Sequence, residues 1–346
     1  MTTKDFTANV ISASKVVPDG KLTNSAASGV WTLDEHYDLV RGDNWPNAAN
    51  LAPTAFFSVG SSDVDLDKVA IGTLGNAVDF GDMNMKEPRA GIASTTRGIF
   101  TSGKDTSTSE PNEPSTTIQY FTIATGGTLQ DFGDIVSPSD GSRMGFGVAS
   151  STRGIIAGGF SQDGGGQPTN VNNINYLTIA STGNTSAFGD LTNTGGPSGG
   201  GCSSTRGVFM GRFKTSGSAD TIDYITIAST GNATDFGDMP ASRKIGAGAS
   251  NSTRAIAAGM DNNVIEYITI ASTGNASDFG DLTETNEGGM GAASPTRMLI
   301  AAGQSFGTSI DYITIASTAN AADFGSVTSS TGTGSGGLSN AHGGIA

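Results

Sequence analysis

The sequence predicts an all-β protein made of a repeated four-stranded unit, the arrangement of a β-propeller. Three observations carry that prediction. The phrase "YITIASTGNATDFGDM" at 224–239 returns as "YITIASTGNASDFGDL" at 267–282 and as "YITIASTANAADFGSV" at 312–327. The Phe of its Phe-Gly-Asp or Phe-Gly-Ser ending stands at Phe80, Phe132, Phe188, Phe236, Phe279 and Phe324, at spacings of 52, 56, 48, 43 and 45 residues. Periods of this size belong to propeller blades and solenoid units. The third observation is composition: 51 glycines in 346 residues are about twice the roughly 7% average, and hydrophobic residues make up only 36%. Alternating apolar segments recur throughout, so many short strands and turns explain this composition better than disorder does.

The phrase itself predicts two strands. Lys68, Tyr120, Tyr176, Tyr224, Tyr267 and Tyr312 each precede their Phe by twelve residues, and a separation that never varies implies a rigid hairpin. In "IDYITIAS" at 222–229, Ile225 and Ile227 fall on one face and Tyr224 and Thr226 on the other, because side chains alternate along a strand. Gly231 and Asn232 then supply a tight turn that accepts positive φ. The short "ATDFGD" is the outer strand.

A second phrase predicts the inner half of the unit. It reads "RGIFTSG" from Arg97, "RGIIAGG" from Arg153, "RGVFMG" from Arg206, "RAIAAG" from Arg254 and "RMLIAAG" from Arg297, with a degenerate last copy "HGGIA" from His342. Gly- and Ala-rich stretches such as "GFGVASS" at 145–151 and "GAGASNS" at 246–252 precede it. Small residues let backbones approach closely, as the centre of a radial structure requires. The repeated arginines are expected to pair with the aspartates of neighbouring Phe-Gly-Asp phrases, Asp82, Asp134, Asp190, Asp238 or Asp281, in preference to forming a ligand site.

Seven small-residue strand pairs are counted if "NLAPTAFFSVG" at 50–60 and "LSNAHGGIA" at the end both contribute, against six Tyr/Phe hairpins. Seven blades are therefore favoured, with six as the alternative. The missing half-blade would come from "FTANVISASKV" and "ASGVWTL", with Trp31 as its outer aromatic. The chain divides into an N-terminal segment, 1–47, and propeller repeats, 48–346. Within "WTLDEHYDLVRGDNWPN" at 31–47, Thr32 and Glu35 form a capping box and Gly42 ends the apolar period, which predicts a short helix over 33–41. That piece is either a plug packed on the ring or a docking element, and Trp31, His36, Tyr37, Arg41 and Trp45 are its candidate partner contacts.

The repeat resembles the kelch family: a small-residue strand, a strand ending in Gly158-Gly159, a strand carrying Tyr176, and an outer strand carrying a large aromatic, here Phe where the family has Trp. The phrase "GVWTLDEHYDLVRGDNWP", together with the "YITIASTGNATDFGD" repeats, resembles virion structural proteins of tailed bacteriophages, particularly those infecting marine cyanobacteria. That resemblance implies a non-enzymatic particle component, in the tail or tail fibre or decorating the capsid. Its partners would be other virion proteins, with host attachment as the role and the virion as the location after synthesis in the host cytoplasm.

Little in the chain concentrates chemistry. With His36 and His342 the only histidines and Cys202 the only cysteine, a His-rich metal site and a structural zinc cluster are excluded. Cys202 occupies a slot where a small residue is expected. No catalytic, cofactor-binding or metal-binding residue is assigned. "SSDVDLD" places Asp63, Asp65 and Asp67 on one strand face, which is expected to be solvated. "DGGGQ" and "TGTGSGG" lack the Lys-Ser/Thr of a phosphate loop. A net charge of −14 opposes nucleic acid and anionic membrane surfaces as partners. No apolar run is long enough to span a bilayer, and the opening residues lack a secretory pattern.

Function is then expected where the repetition is interrupted. The connections "KDTSTSEPNEPSTT" at 104–117 and "SQDGGGQPTNVNN" at 161–173 are long, whereas "DNN" at 261–263 is minimal. Equivalent loops share one edge of a propeller, so Glu110, Asn112, Glu113, Gln167 and Asn170 are candidate contacts for a protein or a host-surface glycan. A carbohydrate-binding or carbohydrate-active propeller is the second reading. Solvated loops with no binding role are equally compatible with these lengths.

Overall fold

A computed structural model of the protein describes residues 52–60, 65–104, 114–139, 141–162, 167–244, 246–259, 261–303, 306–331 and 335–345. Ala52–Ala346 forms one compact unit. The readings made for 1–47, including the helix over 33–41 and contacts at Trp31, His36, Tyr37, Arg41 and Trp45, lie outside the described residues, as do Glu110, Asn112 and Glu113.

Six four-stranded antiparallel sheets follow one another around a ring. Blade 1 contains β1 (Thr54–Val59), β2 (Asp65–Ala70) and β3 (Val78–Asp82). Blade 2 is β4 (Ala90–Ala93), β5 (Arg97–Thr101), β6 (Thr117–Thr122) and β7 (Gln130–Asp134). Blade 3 is β8 (Phe146–Ala149), β9 (Arg153–Ser161), β10 (Thr169–Thr178) and β11 (Ser186–Asp190). Blade 4 is β12 (Gly199–Cys202), β13 (Arg206–Phe213), β14 (Ser218–Thr226) and β15 (Thr234–Asp238). Blade 5 is β16 (Ala247–Ser250), β17 (Arg254–Ala258), β18 (Asn262–Thr269) and β19 (Ser277–Asn286). Blade 6 is β20 (Met290–Ala293), β21 (Arg297–Gly303), β22 (Gly307–Thr314) and β23 (Ala322–Ser326).

The last strand, β24 (Gly337–Ser339), is the innermost strand of blade 1, in the order β24-β1-β2-β3. Ala55 faces Ser339 and Phe57 faces Gly337 across this closing ladder. The blade count is therefore six, not the favoured seven. "NLAPTAFFSVG" and "LSNAHGGIA" are the second and first strands of a single blade, which sequence order separates by almost the whole ring. No half-blade is missing, and Trp31 is not needed as an outer aromatic.

Each sheet packs on two neighbours, so both faces of the inner strands are buried. A main hydrophobic cluster occupies each of the six junctions, and a smaller one of Met144, Phe160 and Phe213 adds to that between blades 3 and 4. Between blades 6 and 1 it contains Phe57, Ile71, Leu299, Ile310 and Phe324, and between blades 4 and 5 it contains Met210, Ile222, Phe236, Ala257 and Ile268. Full burial of each large side chain is worth about 1.5–3 kcal/mol. The alternation read in "IDYITIAS" is observed: Ile225 and Ile227 are buried in the blade 3–4 cluster, whereas Tyr224 packs with Ile222 on the blade 4–5 cluster and Thr226 is exposed.

At the axis the equivalent positions Gly91, Gly147, Gly200, Gly248, Gly291 and Gly337 form a ring. A Cβ on Gly147 would overlap the Gly91 carbonyl, one on Gly91 would overlap Gly337, and one on Gly291 would overlap Gly248. Only glycine permits this approach, and that is why the Gly/Ala-rich stretches are innermost.

The repeated phrase joins blades as well as forming a hairpin. Gly183, Gly231 and Gly274 of the turns donate N–H bonds to the carbonyls of Phe132, Phe188 and Phe236 in the preceding blade. The turn asparagines Asn184, Asn232, Asn275, Asn320 and Asn76 accept from the backbone N–H of Asp134, Asp190, Asp238, Asp281 and Ser326. The glycine after the Phe is held at positive φ at Gly133, Gly237, Gly280 and Gly325, +149° at Gly237, where a Cβ would meet Gly274 of the next turn.

The repeated arginines do not pair with the Phe-Gly-Asp aspartates, contrary to the sequence reading. Each guanidinium lies 4.4–4.6 Å from the ring centre of its own blade's tyrosine: Arg97 on Tyr120, Arg153 on Tyr176, Arg206 on Tyr224, Arg254 on Tyr267 and Arg297 on Tyr312. Each also donates to a backbone carbonyl of the next blade: Ile179, Ile227, Ile270, Ile315 and Ile71 respectively. The tyrosine in turn meets the outer-strand phenylalanine edge to face, at 5.7–6.2 Å between ring centres. A planar cation satisfies the aromatic face and the carbonyl together, which a carboxylate partner would not require.

Blade 1 departs from this pattern. Thr54 stands where the other blades have arginine, and Lys68 replaces tyrosine with its ammonium 4.3 Å from the centre of Phe80. Phe56, Phe80 and Phe121 pack together at 5.0–5.8 Å across the junction of blades 1 and 2. There the arginine bridge is replaced by ring contacts.

Candidate functional site at the propeller axis

Antiparallel order gives the ring two different faces. The turn face carries the Ser-x-Thr-Arg turns between first and second strands and the Thr-Gly-Asn turns between third and fourth strands. The loop face carries the connections between second and third strands and the links from blade to blade. Small residues of all six blades line an axial cavity of about 50 Å³ between them.

On the turn face, the residues after β24 cross the mouth of this cavity. His342 Nε2 donates to the Ala93 carbonyl at 2.9 Å, and Nδ1 accepts from Gly344 N–H at 3.1 Å. Gly343 N–H donates to the Ser250 carbonyl. Cys202 lies beside them, its Sγ 3.2 Å from the Ala149 carbonyl and 3.9 Å from His342 Nδ1. This is not a nucleophile–base pair. Burial pushes the Cys202 thiol up to about 11, and burial lowers the His342 imidazole from its ordinary value, so both are neutral near pH 7. Both imidazole nitrogens are already engaged. The 342–344 stretch is therefore a tie holding blades 2, 3, 4 and 5, not a further arginine-type turn.

On the loop face, Arg89 precedes β4 and reaches across the axis. Its Nη2 donates to the carbonyls of Gly246 at 2.7 Å and Ser198 at 3.0 Å. Further out, Glu87 accepts from Lys104 at 2.6 Å and Arg143 at 2.9 Å. Burial alone would raise the Glu87 carboxyl, but these two cations hold it below its ordinary range. Lys244 bridges Asp261 at 3.1 Å and Glu287 at 3.8 Å. Arg212 and Asp223, both fully buried, form an ion pair at the inner end of the blade 4 loop.

Of the long-loop candidates, Gln167 and Asn170 are described and fall on this face. Gln167 is exposed. Asn170 is paired with a neighbouring loop: its Nδ2 donates to Thr215 Oγ1 and its Oδ1 accepts from Thr215 N–H. It therefore ties the loops of blades 3 and 4 together.

A further set of residues escaped the sequence reading. The residue before each Tyr/Lys position, Asp67, Gln119, Asn175, Asp223, Glu266 or Asp311, is buried and receives the incoming blade-to-blade link. Asp67 accepts from Thr328, Asp223 from Thr192 and Asp311 from Thr283, each through both the backbone N–H and the hydroxyl. Gln119 accepts from Asn84 N–H, Asn175 donates to the Ser137 carbonyl, and Glu266 accepts from Arg243. Asp67 is thus buried, not on the solvated acidic face expected for "SSDVDLD". The available signal was a polar residue fixed at one register position in every copy, opposite in character to the isoleucines around it.

Among the described residues no cluster of three His, Cys, Asp or Glu side chains is arranged to hold a metal ion, and no helix is long and apolar enough to cross a membrane. The fold and its axis define a closed six-bladed β-propeller with four-stranded blades. No protein-family model matches the sequence, and no curated protein matches it.

Proposed function

We propose that this propeller is a non-enzymatic structural component of a tailed-phage virion, in the tail or tail fibre, that presents its loop face to a neighbouring virion subunit or to the host surface. One observation carries the reading. The buried polar groups repeated in each blade are committed to blade-to-blade latches, whereas variation in length and charge is concentrated on the loop face. A ring latched in this way keeps its shape while its rim differs from blade to blade, as a particle component with one dedicated contact face requires. The Cys202–His342 contact supports the non-enzymatic part, because the thiol is held protonated and the imidazole is fully bonded. The likeness of "GVWTLDEHYDLVRGDNWP" and of the repeats to phage virion proteins supplies the setting, and decoration of the capsid is a variant of it.

Imaging of intact particles produced with this chain tests the proposal. The expected result is propeller density at the tail, with the loop face around Glu87, Lys104 and Lys244 turned toward another subunit or outward as the host-contacting surface. Absence of the chain from purified particles overturns it. Saturable glycan binding, abolished by deleting 105–113 and accompanied by turnover, would replace it with the carbohydrate-active reading.

A further inference from the structure

Arg89 breaks the repeat at the axis. The equivalent positions, two before each axial glycine, are Gly145, Ser198, Gly246, Gly289 and Ser335. Five small residues leave the loop-face mouth of the axis open, and a single arginine side chain fills it from one side. Its acceptors, Ser198 and Gly246, adjoin blades 4 and 5, across the ring from blade 2.

This cation is 4% exposed, and no carboxylate among the described residues bonds to it. Nε is buried without a hydrogen-bond partner. Burial draws the guanidinium down to about 9, the sign of a charge whose desolvation is not repaid by an anion. Beside it lies a second axial cavity of about 30 Å³, bounded by Arg89, Gly246, Gly289 and Ser335. The innermost strands pair on one side only, so alternate backbone N–H groups face the axis, and the glycines leave them uncovered.

We propose that the axial cavity beside Arg89 is a binding site for one small monovalent anion of halide size. The cavity has room for a single atom-sized ligand, which disfavours sulfate or phosphate. The ion would take the free Nε–H of Arg89 and pair locally with this buried cation. The site is independent of the function proposed above, because it follows from the ring geometry alone.

Crystals of the full chain soaked in sodium bromide test it directly. One anomalous peak on the axis, within hydrogen-bonding reach of Arg89 Nε, is expected. In solution, chloride in place of gluconate at equal ionic strength should raise Tm by about 2–4 °C for each tenfold increase above the dissociation constant. Arg89→Met should remove both the peak and the chloride increment. No axial bromide in wild-type crystals, or an equal chloride increment in both proteins, overturns the proposal. Should Arg89→Met not fold, the wild-type bromide map decides.

Discussion

At the scale of single residues, Arg254 shows how this fold uses charge. Its guanidinium lies 4.6 Å from the centre of the Tyr267 ring and donates to the Ile315 carbonyl at 2.9 Å, so it contributes to its own blade and to the next. A hydrogen bond from a charged donor is worth about 1.5–3 kcal/mol, and an exposed cation–π contact adds about 0.5–1 kcal/mol. Arg254→Ala is therefore expected to lower stability by about 2 kcal/mol in urea titration. Arg254→Lys should recover only part of that loss, because an ammonium lacks the planar fork that meets ring and carbonyl together. In a double-mutant cycle with Tyr267→Phe and Tyr267→Ala, the ring contact appears as a coupling of about 0.5–1 kcal/mol that the Phe variant retains. A coupling near zero in both cycles would place the whole contribution in the carbonyl bond. Lys68 and Phe80 in blade 1 are a natural exchange of the same kind, with the cation moved to the tyrosine position.

At the scale of elements, the latch residues set a pH dependence. Burial raises the carboxyls of Asp67 and Asp311 above the ordinary value of 3.8, and the bonds from Thr328 and Thr283 only partly offset it. Each group binds its proton more tightly folded than unfolded. Its contribution to stability is therefore fully present below the unfolded value and is lost as pH rises through the raised folded value. Asp311→Asn keeps an acceptor for Thr283 N–H and removes the buried charge, as Gln119, which accepts from Asn84 N–H, already does at the equivalent position. Relative to the wild type, the variant should gain stability between pH 3 and pH 7 and reach a plateau above the folded value, as read from denaturation midpoints across that range. A difference independent of pH would show that Asp311 titrates normally. These latches also mark what was legible in the sequence. The strands, the Tyr-to-Phe hairpins and the small-residue inner strands were visible because periodicity and fixed spacing are local. The partner of each repeated arginine was not, because ring stacking and a carbonyl two strands away leave no complementary residue to find. Arg89 was equally hidden, since its significance lies in five small residues that align with it only once the register is known.

At the scale of the whole molecule, closure depends on a three-residue strand. The count of seven failed because the first blade draws its strands from both ends of the repeat array, which the hydrophobic pattern alone does not reveal. Ending the chain after Gly336 removes β24 and uncovers the ladder edge of β1, together with the side of Phe57 that faces the axis. Gel filtration should then show expanded or associated species, and thermal melting should lose its cooperative transition. A peptide of residues 335–346 in excess should restore both by adding the missing strand. An unchanged melt would mean that the ring closes without β24. The same arrangement bears on biosynthesis. A ribosome making this chain releases the strands of blades 2 to 6 while the first blade still has an open inner edge. Nascent β1 waits for β24, and the circle closes only once that strand has been made. Products interrupted before β24 keep an unpaired strand edge on β1, the kind of edge that draws incomplete chains into aggregation.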